Sequence, residues 1–413
     1  MNKTQGNISP VLRFQGFSEN WNIEKLGSFL SFKNGINADK EQYGSGYKFI
    51  NVLDIIQNTY ISHEKIIGSV NVDEKVFKKN EVVFGDILFQ RSSEIREETG
   101  QSNVYLDEHI PATFGGFVIR GRSIRKYQPI YLNYLLKTWL ARKEIVEKSG
   151  GSTRYNVGQK TLAAVNIYIS ANDTEQQKIA NFLSSVDKKI KQLTEKQSLL
   201  QQYKKGIMQK LFAQEICFKG EQGNDFPDWE EKSLAEVLTP KIREVNKPSE
   251  KYLAIGIRSH MKGTFQKPGF DPDDIAMEKL FVLKENDLVV NITFAWEGAI
   301  AIVKPEDDGG LVSHRFPTYT FKKDQATHEF FRHIIMQKRF KYMLDVISPG
   351  GAGRNRVLSK KEFLKLKWTL PSVAEQNKIA LFLGELDKKI DFTRQQIEQT
   401  KTFKKGLLQQ MFV

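Results

Sequence analysis

A segment of 39 residues occurs twice in this 413-residue chain, 200 residues apart. Thr174 to Phe212 and Ala374 to Phe412 align without a gap, with 16 of the 39 positions identical. The identities include Glu175/Glu375, Gln176/Gln376, Ile179/Ile379 and Phe182/Phe382, then Asp187 to Ile190 with Asp387 to Ile390, and Lys204 to Gly206 with Lys404 to Gly406. A repeat at constant register marks a duplicated structural unit. The match extends upstream, where Gly150-Gly151-x-x-Arg154 aligns with Gly350-Gly351-x-x-Arg354. Each half also opens alike, with Phe17-Ser-Glu-Asn-Trp21 then Leu26, and Phe226-Pro-Asp-Trp229 then Leu234. The middles, roughly 35–145 and 245–345, share no visible similarity. The expected order is globule (1–173), helix (174–212), globule (213–373), helix (374–413), a pseudo-twofold repeat.

Both repeated segments lack proline, and Asn172 and Ser372 stand three residues before a glutamate, a capping-box pattern. Apolar residues then recur at steps of three and four: Ile179, Leu183, Val186, Ile190 and Leu193 in one copy, Ile379, Leu383, Leu386 and Ile390 in the other. A helix of about 38 residues is about 57 Å long at 1.5 Å per residue. So long a helix with one narrow stripe needs a partner, and its sibling carries the same stripe. An antiparallel coiled coil is the expected solution, with polar interruptions at Gln197 and Lys204 either fixing register or lying at a wet part of the seam. The simpler arrangement is a helix packed on its own globule.

The globules read as α/β (mixed α+β). Strand-like runs are Glu81 to Phe84, Ile87 to Phe89, Phe117 to Ile119, Leu288 to Val290 and Ala299 to Val303, and helical patches run from Pro129 to Lys148 and from Gln325 to Val346. Cys217 is the only cysteine, which excludes an intrachain disulfide and a cysteine-based zinc site and suits a reducing cytoplasm. No stretch is apolar enough to span a membrane, and the polar first ten residues carry no secretory pattern. The net charge of +13 favours a polyanionic partner, of which nucleic acid is the commonest.

Catalytic constellations are not legible. There is no phosphate-binding G-x-x-x-x-G-K-[ST] loop, no G-x-S-x-G elbow and no H-E-x-x-H helix. The six histidines, His63, His109, His260, His314, His328 and His333, read as surface or satisfied polar residues, and no metal site is expected. The acids around Trp229 read as a repeat of the Phe-Trp opening rather than as nuclease carboxylates.

The unit Gly-Gly-x-x-Arg, an apolar strand, Glu-Gln-x-x-Ile-Ala-x-Phe-Leu, Asp-x-x-Ile and Lys-Lys-Gly resembles the specificity subunit of type I restriction–modification enzymes, as does Leu12-Arg13-Phe14-x-x-Phe17 with Trp21. The resemblance implies two target recognition domains, each reading half of a split duplex DNA site, and two helices that set the gap between the halves. It also implies two methyltransferase (modification) subunits and motor-nuclease (restriction) subunits as partners. Adenine methylation and cleavage would belong to those partners, with S-adenosylmethionine, ATP and magnesium as their cofactors; none is expected in this chain. Two other classes compete: a coiled-coil scaffold with incidental charge, and a stand-alone endonuclease.

Base and phosphate recognition needs arginine, amide and hydroxyl side chains on exposed loops. In the first half these are Gln90, Arg91, Ser92 and Ser93, and the run Gly151, Ser152, Thr153, Arg154, Tyr155 and Asn156. In the second they are Asn291, Thr293, Trp296, His314 and Arg315, with Gly351, Arg354, Asn355 and Arg356. The glycines would let the backbone approach DNA closely.

Overall fold

A computed structural model describes residues 9–350 and 356–413. The chain divides into two compact units: Met1–Gln197 with Thr393–Val413, and Ser198–Phe392. Each contains a globule, the start of one long helix and the end of the other. The long helices are Asp173–Phe212 and Val373–Gln410.

The globules share a plan that their sequences hide. In the first unit a four-stranded antiparallel sheet has the order Leu30–Asn34, Val118–Ser123, Ile87–Gln90, Ser102–Val104. In the second, the order is Leu238–Pro240, Thr318–Phe321, Leu288–Val290, Ile300–Ile302. The inner strands Ile87–Gln90 and Leu288–Val290 are buried throughout. A second sheet in each unit has one strand paired in parallel on one side and antiparallel on the other: Tyr43–Ile50 in the first, Tyr252–Ile257 in the second. The two helical patches each resolve into a pair, Pro129–Leu135 with Trp139–Lys148, and His328–Ile334 with Lys338–Val346. Two strand assignments are corrected. Glu81 to Phe84 contributes one bridge, Val82 to Ala112, and no strand. Phe117 lies in the turn before its strand, which begins at Val118.

Each long helix grows out of its globule through the repeated residues. The strand Asn22–Lys25 pairs with Asn166–Ile169, and Glu230–Ser233 pairs with Lys367–Leu370, so both openings lie beside the strand that leads into a long helix. Asn172 Oδ1 accepts from the amides of Thr174 (2.9 Å) and Glu175 (3.1 Å), and Ser372 Oγ accepts from the amide of Glu375 (3.4 Å). The glutamates do not complete the capping box. Glu175 instead accepts from Trp21 Nε1 at 3.2 Å, Ser170 Oγ at 2.6 Å and the guanidinium of Arg13 at 2.6 and 3.0 Å. Glu375 accepts from Trp229 Nε1 at 3.2 Å, and burial pushes its carboxyl above the usual carboxylate range. Gln176 and Gln376 each use both ends of the amide. The oxygens accept from the backbone of Gln128 and Thr327, at the starts of the paired short helices, and the nitrogens donate to Ser170 and Pro371 carbonyls.

The far end of the opposite helix closes each unit. Phe412 meets Trp21 edge-on with ring centres 5.9 Å apart, and Phe212 meets Trp229 likewise at 6.1 Å. Lys404 Nζ lies 2.6 Å from Asp187, which also accepts from Tyr134 at 2.6 Å; Lys204 pairs with Asp387. Within each unit, then, the start of one helix runs beside the end of the other, the antiparallel pairing expected of the repeat. The stripe is shared more widely than a simple coiled coil. Ile179, Leu183 and Val186 belong to one globular core together with Leu407 and Met411, and Ile379, Leu383 and Leu386 belong to the other with Leu211. Ile190 packs against the first core, while Leu193 is buried and Ile390 half-buried farther along the helices. Lys204 is therefore a paired residue of the seam, and Gln197 is half-buried.

His333 departs from the surface or satisfied role expected of it. It is buried in the second core, and its Nε2 has no partner among the described residues. Burial, with Lys204 and Arg332 nearby, holds its pKa at about 3. The unfolded imidazole protonates below about pH 6.5 while the folded one stays neutral, so the folded state loses stability as pH falls through that window. His333→Phe is expected to reduce this loss, measured as the difference in urea midpoint between pH 7 and pH 4.5 for the two proteins. Glu175→Ala leaves Arg13 without its carboxylate partner and is expected to cost about 3 kcal/mol, the range for breaking a buried ion pair. Glu375→Ala removes a single neutral donor's acceptor and is expected to cost about 1 kcal/mol, both read by equilibrium urea unfolding.

Candidate nucleic-acid interface

In the first unit the buried strand Ile87–Gln90 ends at a cluster of loops. The chain passes through Arg91 into Ser92–Ser93, which pairs antiparallel with Tyr155–Asn156. Val157 donates its amide to Arg91 carbonyl at 2.9 Å, and Ser92 Oγ donates to Asn156 Oδ1. The fold thus joins the two runs that sequence reasoning chose separately. Their side chains are not equally available. Gln90 is buried and donates to Ser92 carbonyl at 2.9 Å, and Arg91 donates to Gly116 carbonyl at 3.2 Å. Tyr155 is half-buried, with the Arg96 guanidinium 6.0 Å from its ring. Ser152, Thr153, Arg154 and Asn156 are exposed. Among the described residues the Arg154 guanidinium makes only a loose pair with Glu94 at 3.6 Å, an exposed contact that it can exchange for another partner.

Gly151 has a role within the loop. Its φ is +124°, and a Cβ there would lie 2.0 Å from the carbonyl oxygen of Arg154. Glycine is needed to close the hairpin that Gly150 and Asn156 clamp with two reciprocal backbone hydrogen bonds. That hairpin holds Ser152, Thr153 and Arg154 outward. Beneath it lies a concavity of about 380 Å³ lined by Ser92, Ser93, Ile95, Phe117 and Arg154 among others.

The second unit repeats the arrangement with other side chains. Strand Leu288–Val290 ends at Asn291, whose Oδ1 accepts from the amide of Thr293 at 3.1 Å. Arg315 is exposed and donates to Thr293 Oγ1 at 3.2 Å, and His314 beside it is exposed. Trp296 is half-buried, donates to Thr293 carbonyl at 3.2 Å and lies under the Arg356 guanidinium at 5.2 Å. Arg356 is also fixed by the carbonyls of Ser348 and Asp345 and by the Asp345 carboxylate at 2.7 Å. It therefore organises the loop more than it offers a free cation. Gly351, Arg354 and Asn355 lie outside the described residues. The hairpin tip Arg258 to Gly263 docks on the same loop, with His260 and Met261 donating to the carbonyls of Glu297 and Gly298.

Sequence reasoning missed the apolar members of these faces. Phe117 is 65% exposed and Ile95 52%, beside Ser92, Ser93 and Arg154. The usable signal was Gly115-Gly116 directly before Phe117, which favours a turn over a strand. Among the described residues no three His, Cys, Asp or Glu side chains gather as a metal-binding group.

The model of the type I restriction modification DNA specificity domain matches twice, over residues 18–202 and 227–402. The type I restriction enzyme MjaVIII specificity subunit of Methanocaldococcus jannaschii is 27% identical over 294 residues, covering 68% of each chain. Two solved chains share the fold. One is the S subunit of a type I restriction–modification system from M. genitalium, with TM-score 0.60, 16% identity and coverage of 98% and 99% of the two chains. The other comes from work on assembly and conformational transition of the type I R-M system, with TM-score 0.56, 12% identity and coverage of 95% and 97%. With two copies of the domain spanning most of its length, each ending in a long helix, the chain belongs to the family of type I restriction–modification DNA specificity subunits.

Proposed function

We propose that each unit reads one half of a split duplex DNA site, and that the chain directs adenine methylation and cleavage performed by partner subunits while carrying out no catalysis itself. The observation that carries this reading is the convergence of the chosen residues. Ser92, Ser93, Arg154 and Asn156 meet at one strand end in the first unit, and Thr293 and Arg315 meet at the corresponding strand end in the second. Hydroxyls, an amide and arginines on one face are the groups that hold phosphates and base edges. The different side chains of the two faces suit a site whose halves differ.

In this reading two modification subunits and the restriction subunits assemble with the chain. S-adenosylmethionine, ATP and magnesium are theirs. The long helices, each continuous from residues of one unit into residues of the other, act as the spacer between the half-sites.

Two outcomes are expected of the complex with its modification subunit, measured by competition binding to duplexes carrying either half-site altered. Arg154→Ala weakens discrimination at one half-site and Arg315→Ala at the other, each by about tenfold, the lower end for loss of a good arginine contact. Equal loss at both half-sites, or none, contradicts the assignment. Lengthening both long helices by one turn, about four residues, is expected to change the preferred gap and leave the half-sites unchanged. An unchanged gap contradicts the spacer role.

A further inference from the structure

The two DNA-facing clusters can be aligned by their backbone hydrogen bonds, without reference to side chains. In the first unit Gly115 to Val118 forms a turn closed by Val118 amide to Gly115 carbonyl at 2.9 Å. In the second, Ser313 to Phe316 forms the same turn, closed by Phe316 amide to Ser313 carbonyl at 3.0 Å. The carbonyl of the third turn residue, Phe117 or Arg315, accepts from the residue just past the polar end of the buried strand, Arg91 at 2.9 Å or Ile292 at 3.0 Å. The carbonyl of that residue in turn accepts from Val157 at 2.9 Å or Leu358 at 2.8 Å. Phe117 and Arg315 therefore occupy one structural position in the two units.

Both side chains are exposed at that position. A lone surface phenylalanine needs no explanation. This one, however, stands where the other unit presents an arginine, and it shares its concavity with Ser92, Ser93, Arg154 and the half-exposed Ile95. The backbone is kept and the side chain changed from a guanidinium to an apolar ring. That substitution exchanges the chemistry of the two distinctive groups in the major groove: guanine offers O6 and N7 to arginine, and thymine offers the only apolar group on a base edge, its C5-methyl.

We propose that this turn position is a base-reading position in both units, and that Phe117, with Ile95 beside it, packs on a thymine methyl group in the half-site read by the first unit. The inference rests on the reading of these faces as the DNA-contacting ones. Among the described residues Phe117 joins no core cluster, its ring is largely in solvent, and the turn is held by backbone bonds.

The test uses the full chain with its modification subunit. Bound sequences are selected from a randomised duplex library for the wild type, Phe117→Ala and Phe117→Leu, and the selected site is then resynthesised with deoxyuridine at each thymidine in turn. Phe117→Ala is expected to relax one thymine position in one half-site and to leave the other half-site intact, with Phe117→Leu retaining part of the preference. Deoxyuridine at that position is expected to weaken wild-type binding about fourfold, the value of one buried methyl group, and to have no further effect on Phe117→Ala. An unchanged preference in Phe117→Ala, from a wild type that selects a split site, overturns the inference alone. A relaxed position with no effect of deoxyuridine also overturns it, because the ring would then act by wedging between bases. A wild type that selects no split site overturns the reading beneath it.

Discussion

The buried carboxylate at the start of each long helix is the constraint on which the rest of the structure depends. Glu175 is fully enclosed, and such a charge is tolerable only when donors surround it. Arg13, Trp21 and Ser170 supply them, which ties the chain opening, the last strand of the globule and the helix to one point. One residue on, Gln176 ties the same helix to the helical pair through the Gln128 amide. Glu375 and Gln376 repeat the arrangement with Trp229 and Thr327. The orientation of each globule on its helix is thus set by directional polar bonds at a buried site, where an unmade bond is costly. Apolar packing alone would fix it less sharply.

Around that junction the duplication has kept some things and released others. The aromatic closure by Phe412 on Trp21 and by Phe212 on Trp229 is kept, as are the lysine–aspartate pairs of the seam. Smaller contacts recur too: Lys178 lies over Phe17 and Lys378 over Phe226. The sheets keep strand order and the backbone bonds at their polar ends. Released are the loop side chains, so that Ser92 corresponds to Thr293 and Phe117 to Arg315. Partial release also touches the junction. Tyr134 donates to Asp187 in one unit, whereas the corresponding place in the other holds His333, whose Nε2 has no partner among the described residues. A scaffold that holds its loops through main-chain bonds can change loop side chains without changing loop shape, which is what a reader of two different half-sites requires.

Much of this was legible in the sequence, and for a physical reason. The helices announced themselves through Asn172 and Ser372 as caps, through their apolar period, and above all through repetition. The identities at Glu175, Gln176, Asp187 and Lys404 recur because each has a directional partner. The common sheet was not legible. A buried strand asks only for apolar bulk, so Leu88 and Phe89 can stand where Val289 and Val290 do with no shared letters. For the same reason Phe117 read as strand, since an exposed ring and a buried one look alike without the turn that places it. Gly151 was legible as a special backbone position, but its purpose was not: the close approach it permits is to Arg154 of its own hairpin. Which arginines are exposed was equally hidden, because Arg356 is half-buried, bound to Asp345 and stacked on Trp296, while Arg315 stays at the surface with Thr293.

The most direct measurement is genome-wide mapping of adenine methylation in cells that express this chain with its modification subunit, compared with cells that lack the chain. A single motif with two defined halves and a fixed unspecified gap, lost when the chain is absent, is the expected result. An unchanged methylation pattern, with the modification subunit expressed and bound to the chain, would contradict the assignment of sequence recognition to these two units.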